Sequence, residues 1–316
     1  MGPLGSRATW TKATAGRRTS GTARASRAAE RGTDMLVLYD NPASVAAQRV
    51  RLVLAEKGLE WHTVTVDLRD GSALRPDYLA LNPDGVVPTL VDDGGPIVES
   101  SVICEYLDDL VPAPTLRPPT AHGRARMRAW MRRIDDDVHR ATGNVSMAVY
   151  IRHAHLARPQ AERDAHFAAM PDRDRAARQQ AAIAHGLDAP AFAPSLHALA
   201  RLVDDVDRTL ARGGLGAWLA GDEFGLADIA VAPYLTRMAM LGLSPLWARG
   251  RRSAAADWWA RVRSRESWQR AVRDAFPTAA TSVMRERGEA AWPRIAAILA
   301  LDPARPAARE DDCFAT

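Results

Sequence analysis

The chain has 316 residues, 47% of them hydrophobic, enough apolar material for one large or two ordinary domains. Of its 42 Lys/Arg and 38 Asp/Glu, seven and two fall in residues 1–34, leaving a body with 35 basic against 36 acidic side chains. That balance excludes charge-driven nucleic-acid binding, and no apolar run reaches the roughly 18 residues of a membrane span.

Residues 1–34, rich in Arg, Ala, Ser, Thr and Gly, have too few large apolar side chains to pack and are expected to be disordered. A transit peptide shares this composition; "GPLGS" also has the look of a cleavable-tag scar, with the rest as upstream sequence before Met35. From Met35 "LVLYD" reads as a strand, Ser44 to Lys57 as a helix with Val50, Val53 and Leu54 inward and Gly58 as its stop, and "EWHTVTVDL" as a second strand. A helix joining two such strands crosses over a parallel pair, right-handed. A helix is expected near Leu74 to Leu81, then a hairpin of "VVPTLVDD", the turn "DDGG" and "PIVES", then a helix from Ser100 to Leu110. The order β-α-β-α-β-β-α, with Pro88 opening the third strand, is the thioredoxin-like arrangement.

"VPAPTLRPPT", 111–120, is too proline-rich to be anything but a linker. Beyond it the pattern is helical: Met127, Trp130, Met131, Ile134 and Val138 share one face, as do Leu196, Leu199, Val203, Val206 and Leu210. The expected plan is therefore an extension (1–34), an α/β thioredoxin-like domain (35–110), a linker (111–120), an all-α domain (121–300) and a tail (301–316). In "GDEFGLADIAVAPYL" Gly225 stands where a capping hydroxyl would complete a box with Asp228; glycine costs only a few tenths of a kcal/mol there, so the helix is expected to survive.

Cys104 and Cys313 are too few and too far apart for a disulfide framework or a zinc site, which implies a reducing, cytoplasmic setting and no metal. Cys104 lies on the apolar side of its helix and reads as core. His153 and His155 point apart on a helix and make a poor metal pair.

Two features of "DGVVPTLVDDGGPIVESSVICEYL" (84–107) suggest a ligand. A cis Val87–Pro88 bond would turn the Val87 amide and carbonyl outward to pair with an extended peptide; an ordinary trans proline at a strand edge is the alternative. Eleven residues later Ser100 opens a helix whose amino end favours a carboxylate, beside Glu99, which can receive an ammonium. A plain N-cap role for Ser100 is compatible with this. An α-amino-acid head on a peptide body fits both places, and glutathione is such a molecule.

With "NPASVAAQRVRLVLAEKGLEW", "NPDGVVPTLVDDG", "IVESSVICEYLDD" and "GLADIAVAPYL" in this order, the chain resembles the cytosolic glutathione transferase superfamily over roughly residues 35 to 300. The resemblance implies a thioredoxin-like glutathione domain, an all-helical acceptor domain, a homodimer, and glutathione as co-substrate. It also points to Ser44, five residues before Arg49, as the hydroxyl that donates to the thiolate in serine-type members; a plain N-cap at Ser44 stays open. Ala46 and Ala47 stand where some classes carry Cys, Ser or Asn, which argues against a cysteine-type member. Val86 replaces a frequent Gln or Lys and removes one polar contact to the glycyl end.

By the same resemblance the first long helix walls the acceptor pocket. Met127, Trp130, Met131, Met147 and Tyr150 are the candidates for a hydrophobic site taking a small electrophile, though most of this stripe also reads as core. The regions 127–148 and 173–190 look similar to the β-aryl-ether-cleaving branch. Three functions stay open: a transferase, a glutathione-dependent lyase or isomerase, and a non-catalytic binding module, toward which Val86 and Gly225 lean.

Overall fold

A computed structural model describes residues 35–68, 70–93, 95–214, 216–247 and 251–303; the amino-terminal extension, Cys313 and most of the expected tail lie outside these. The first strand, β1 (Leu36–Asp40), leads to α1 (Val45–Glu56), which Ser44 caps and Gly58, at φ 62°, ends. Val50, Leu52, Val53 and Leu54 on α1 are fully buried. Next come β2 (Trp61–Thr65), a 3-10 turn at Ser72–Leu74 and the short α2 (Pro76–Leu79), so the single helix expected at 74–81 is two smaller pieces. Pro76 at the first turn sets that break, since proline is pre-organised for a helix start.

The hairpin is β3 (Thr89–Asp92) and β4 (Gly95–Ile97), with β3 opening one residue after Pro88. The sheet order is β2-β1-β3-β4, with β1 parallel to β2 and antiparallel to β3, and β3 antiparallel to β4. α3 spans Ser100–Leu110 as expected, and the Val87–Pro88 peptide bond is cis.

The helical half begins with α4 (Ala121–Arg133), α5 (His139–Ser146) and α6 (Arg152–Leu156), joined end to end through π-helical turns at Ile134–Val138 and Met147–Ile151. Such turns are rare and recur at functional sites. There follow α7 (Gln160–Ala169), α8 (Arg173–His185), α9 (Phe192–Gly213), α10 (Leu226–Met240), α11 (Ser253–Ser264), the short α12 (Glu266–Trp268) and α13 (Thr278–Ile298). The apolar stripe of α9 is buried throughout, and α10 is buried on every side. The architecture is a thioredoxin-like α/β half followed by an all-α half. Arg51 joins them, pairing with Asp40 in a buried bidentate contact and donating to the Ala271 carbonyl at 2.8 Å.

Gly225 has a different cause from the one its sequence position suggests. A Cβ there would lie 2.4 Å from the Leu116 carbonyl oxygen, which accepts from the Leu226 amide at 2.9 Å. Only glycine lets the proline-rich segment approach this closely. Lys57 and Asp108, paired and wholly buried, hold the same segment through the Val111 carbonyl and the Leu116 amide. Asp228 meanwhile accepts from Gly225 N, Leu219 N and Trp258 Nε1, tying the start of α10 to α11. Gly225 is thus a packing requirement and no sign of lost function.

Candidate active site

The Ser44 Oγ accepts from the Ala47 amide at 3.2 Å, the geometry of an N-cap. Because the oxygen is the acceptor, its own O–H is left to donate, and Ser44 borders a cleft of about 510 Å³. Capping and donation toward a ligand are compatible at this residue.

Val86 and Val87 form the facing rim. The Val86 carbonyl is held by Tyr78 Oη at 2.5 Å and Asn82 Nδ2 at 2.9 Å. The Val87 amide and carbonyl have no partner among the described residues, an unmet demand that an extended chain beside them would satisfy.

At the start of α3, Glu99 sits at φ 67° and ψ 109°, a conformation that L residues rarely adopt, and its side chain caps nothing. Strain of this kind persists where the surroundings impose it, often at ligand sites. Behind it Arg49, almost fully buried, donates to Ser100 Oγ at 3.1 Å, to Ser101 Oγ at 2.5 Å and to Asp135 at 2.6 Å. Burial works against the Arg49 charge, but Tyr234 and Asp135 outweigh it and hold its pKa above the ordinary value. Ser100 therefore keeps its O–H for a carboxylate, with uncapped amides beside it. Asp135 also accepts from Ser101 and lines the cleft, so this helix start adjoins the same cavity.

The opposite wall differs from the expected hydrophobic one. Met127 and Met131 are buried in the core, Met147 is buried, and none of Met127, Trp130, Met131, Met147 and Tyr150 lines the cleft. Trp130 instead borders a separate groove with Arg126 and Arg133. The helix places its apolar stripe against the bundle and turns its polar side to the cavity. That side carries Asp135, His139, Arg140, Thr142 and Asn144, joined by Arg175 and Arg178 of α8 and Arg237 of α10. Sequence reading missed these residues; the one visible signal was Arg237, which with Asp228 is one of two charges in an otherwise largely apolar helix. Its guanidinium donates to the Ala43 carbonyl and, at 3.4 Å, to Ser146 Oγ.

Cys104 is buried, and burial pushes its thiol pKa up to about 12, so it is core and inert. His155 stacks on Phe167, and the described residues hold no group of three His, Cys, Asp or Glu side chains placed for a metal. Among the described residues no helix is long and apolar enough to cross a membrane.

Comparison with known proteins bears on the family and the fold. Residues 43–110 match the glutathione S-transferase N-terminal domain and residues 159–266 the C-terminal domain. Glutathione S-transferase 3 of Zea mays is 32% identical over 241 residues, covering 75% of this chain and 93% of its own. A maleylacetoacetate isomerase of Pseudomonas aeruginosa is 33% identical over 221 residues, covering 69% and 88%. In fold, the chain is similar to the crystal structure of the beta-etherase LigF from Sphingobium sp. strain SYK-6, at a TM-score of 0.69 and 24% identity, covering 75% of this chain and 98% of that one. The fold, the paired domain matches and the relatives agree that this chain belongs to the glutathione S-transferase family.

Proposed function

We propose that the protein binds glutathione across Val87 and the start of α3 and activates its thiol through Ser44 for attack on a small electrophile held in the cleft. The observation that carries this reading is that the Ser44 hydroxyl and the unpaired Val87 backbone border one cavity, with the uncapped amino end of α3 adjoining it through the Ser101 contact to Asp135. Ser100 takes the γ-glutamyl carboxylate, with Glu99 and Asp135 near its ammonium, and Val87 pairs with the cysteinyl backbone beside Pro88. The thiol proton leaves to solvent base. The Ser44 O–H then donates to sulfur at the positive end of α1, which favours the thiolate. Attack forms a carbon–sulfur bond, and the leaving group departs with the electron pair of the bond it loses.

In this reading residues 35–110 serve the thiol and residues 121–300 the acceptor, joined through 111–120, in a cytoplasmic homodimer without metal. A glutathione-dependent isomerase is the second reading, favoured by the Pseudomonas relative. Calorimetric titration with glutathione, followed by product analysis, tests both. Binding with glutathione consumed supports the transferase, binding with glutathione regenerated supports the isomerase, and absence of binding removes both.

A further inference from the structure

The polar side of the cleft holds more hydrogen-bonding capacity than the protein itself uses. Arg237 is 5% exposed and has no carboxylate partner among the described residues. Its Nε, the Arg175 Nε and the Thr142 Oγ1 are buried atoms without a hydrogen-bond partner among the described residues, and all three residues line this cleft. Such groups are rare in native proteins and call for a ligand or ordered water.

The charges lining the cavity are unequal in availability. Asp135 is engaged by Arg49 and Ser101, Asp136 pairs with Arg132 at 2.9 Å, and Asp172 accepts from the Arg175 amide at 2.8 Å. Asp84 and Asp172 act on Arg175 only at longer range. Arg140, Arg175, Arg178 and Arg237 form no ion pair among the described residues. Leu68, Leu74, Ile151 and Met170 supply apolar surface in the same cavity.

Given the glutathione reading above, on which this rests, we infer that the acceptor is an electrophile with an apolar body and a carboxylate, the carboxylate being received by Arg175 and Arg178, with Arg237 lining the same cavity. A buried guanidinium without a counter-ion is costly, and a planar carboxylate is the partner that arginine meets in bidentate fashion. The expected purely hydrophobic acceptor would leave these donors unmade.

The test uses S-(carboxynitrophenyl)glutathione, its carboxamide and glutathione itself, each titrated by calorimetry into the whole protein. The wild type is expected to bind the acid at least about tenfold more tightly than the amide, and Arg178→Gln or Arg175→Gln to bring that ratio near one. Glutathione affinity should shift far less than affinity for the acid. Equal affinity for acid and amide in the wild type overturns the inference while the glutathione reading stands. So does an equal loss for glutathione and the acid in the variants, since the arginines would then serve the tripeptide's own carboxylate. Failure of glutathione itself to bind removes the parent reading and this one with it.

Discussion

Replacing Gly225 by serine separates the logic of capping from the logic of packing. By sequence pattern the change completes a capping box with Asp228 and adds a few tenths of a kcal/mol. The backbone permits it, since Gly225 has φ −161° and ψ −162°, extended geometry open to any residue. The obstacle is the Leu116 carbonyl oxygen, 2.4 Å from where the Cβ must go. Relieving that contact moves the proline-rich segment and weakens the Leu226 to Leu116 hydrogen bond, worth about 1 kcal/mol. Overpacking adds about 1–3 kcal/mol. The net expectation is a loss of about 2–3 kcal/mol, or a fall in Tm of about 5–10 °C. Gly225→Ala should fall with it, because the clash is at Cβ. Gly143, inside α5 with nothing within 4 Å of its Cβ position, is the opposite case, and Gly143→Ala should gain about 0.5–1 kcal/mol. Urea unfolding of the three variants measures all of this. A Gly225→Ser protein more stable than the wild type would refute the packing argument.

Burial raises Asp228 to about 6, outweighing its hydrogen bonds from Leu219, Trp258 and Gly225. The folded state therefore holds this proton more tightly than the unfolded chain, and the resulting stability is full below about pH 4 and lost by about pH 6, a change of about 3 kcal/mol. Urea midpoints across that range should show this contribution in the wild type and not in Asp228→Asn; identical slopes would contradict it. In a Cys313→Ser background Cys104 should resist alkylation until the protein unfolds, and native-state labelling would overturn its placement in the core. Ser100→Ala should weaken glutathione by about tenfold or more, the worth of a hydrogen bond to a charged group, as read by calorimetry; an unchanged Kd would move the carboxylate elsewhere.

Much of the geometry on the proposed thiol side was legible because local rules decide it. Ser44 and Gly58 delimit α1, α3 runs from Ser100 to Leu110, and the cis bond falls at Pro88. The acceptor side was not legible, for a geometric reason. Helical spacing reports that Met127 and Met131 share a buried face, but it does not say whether that face borders the bundle or a cavity. The cleft wall is assembled from α5, α8 and α10, whose arginines are far apart in sequence and meet only after packing. The helix after Gly225 forms as expected, but the reason for the glycine was out of reach: its neighbour Leu116 is 109 positions away, beyond any capping rule.

The role of Ser44 is tested most directly by the ultraviolet titration of bound glutathione in the wild type and in Ser44→Ala. A thiol of pKa about 8.5 is only about 3% ionised at pH 7, whereas a two-unit fall gives roughly 75%. The wild type should hold the bound thiol near about 6.5, and loss of a hydrogen bond to the charged sulfur should raise it by about 1–2 units. Equal values in the two proteins would leave Ser44 as a helix cap alone and contradict the mechanism.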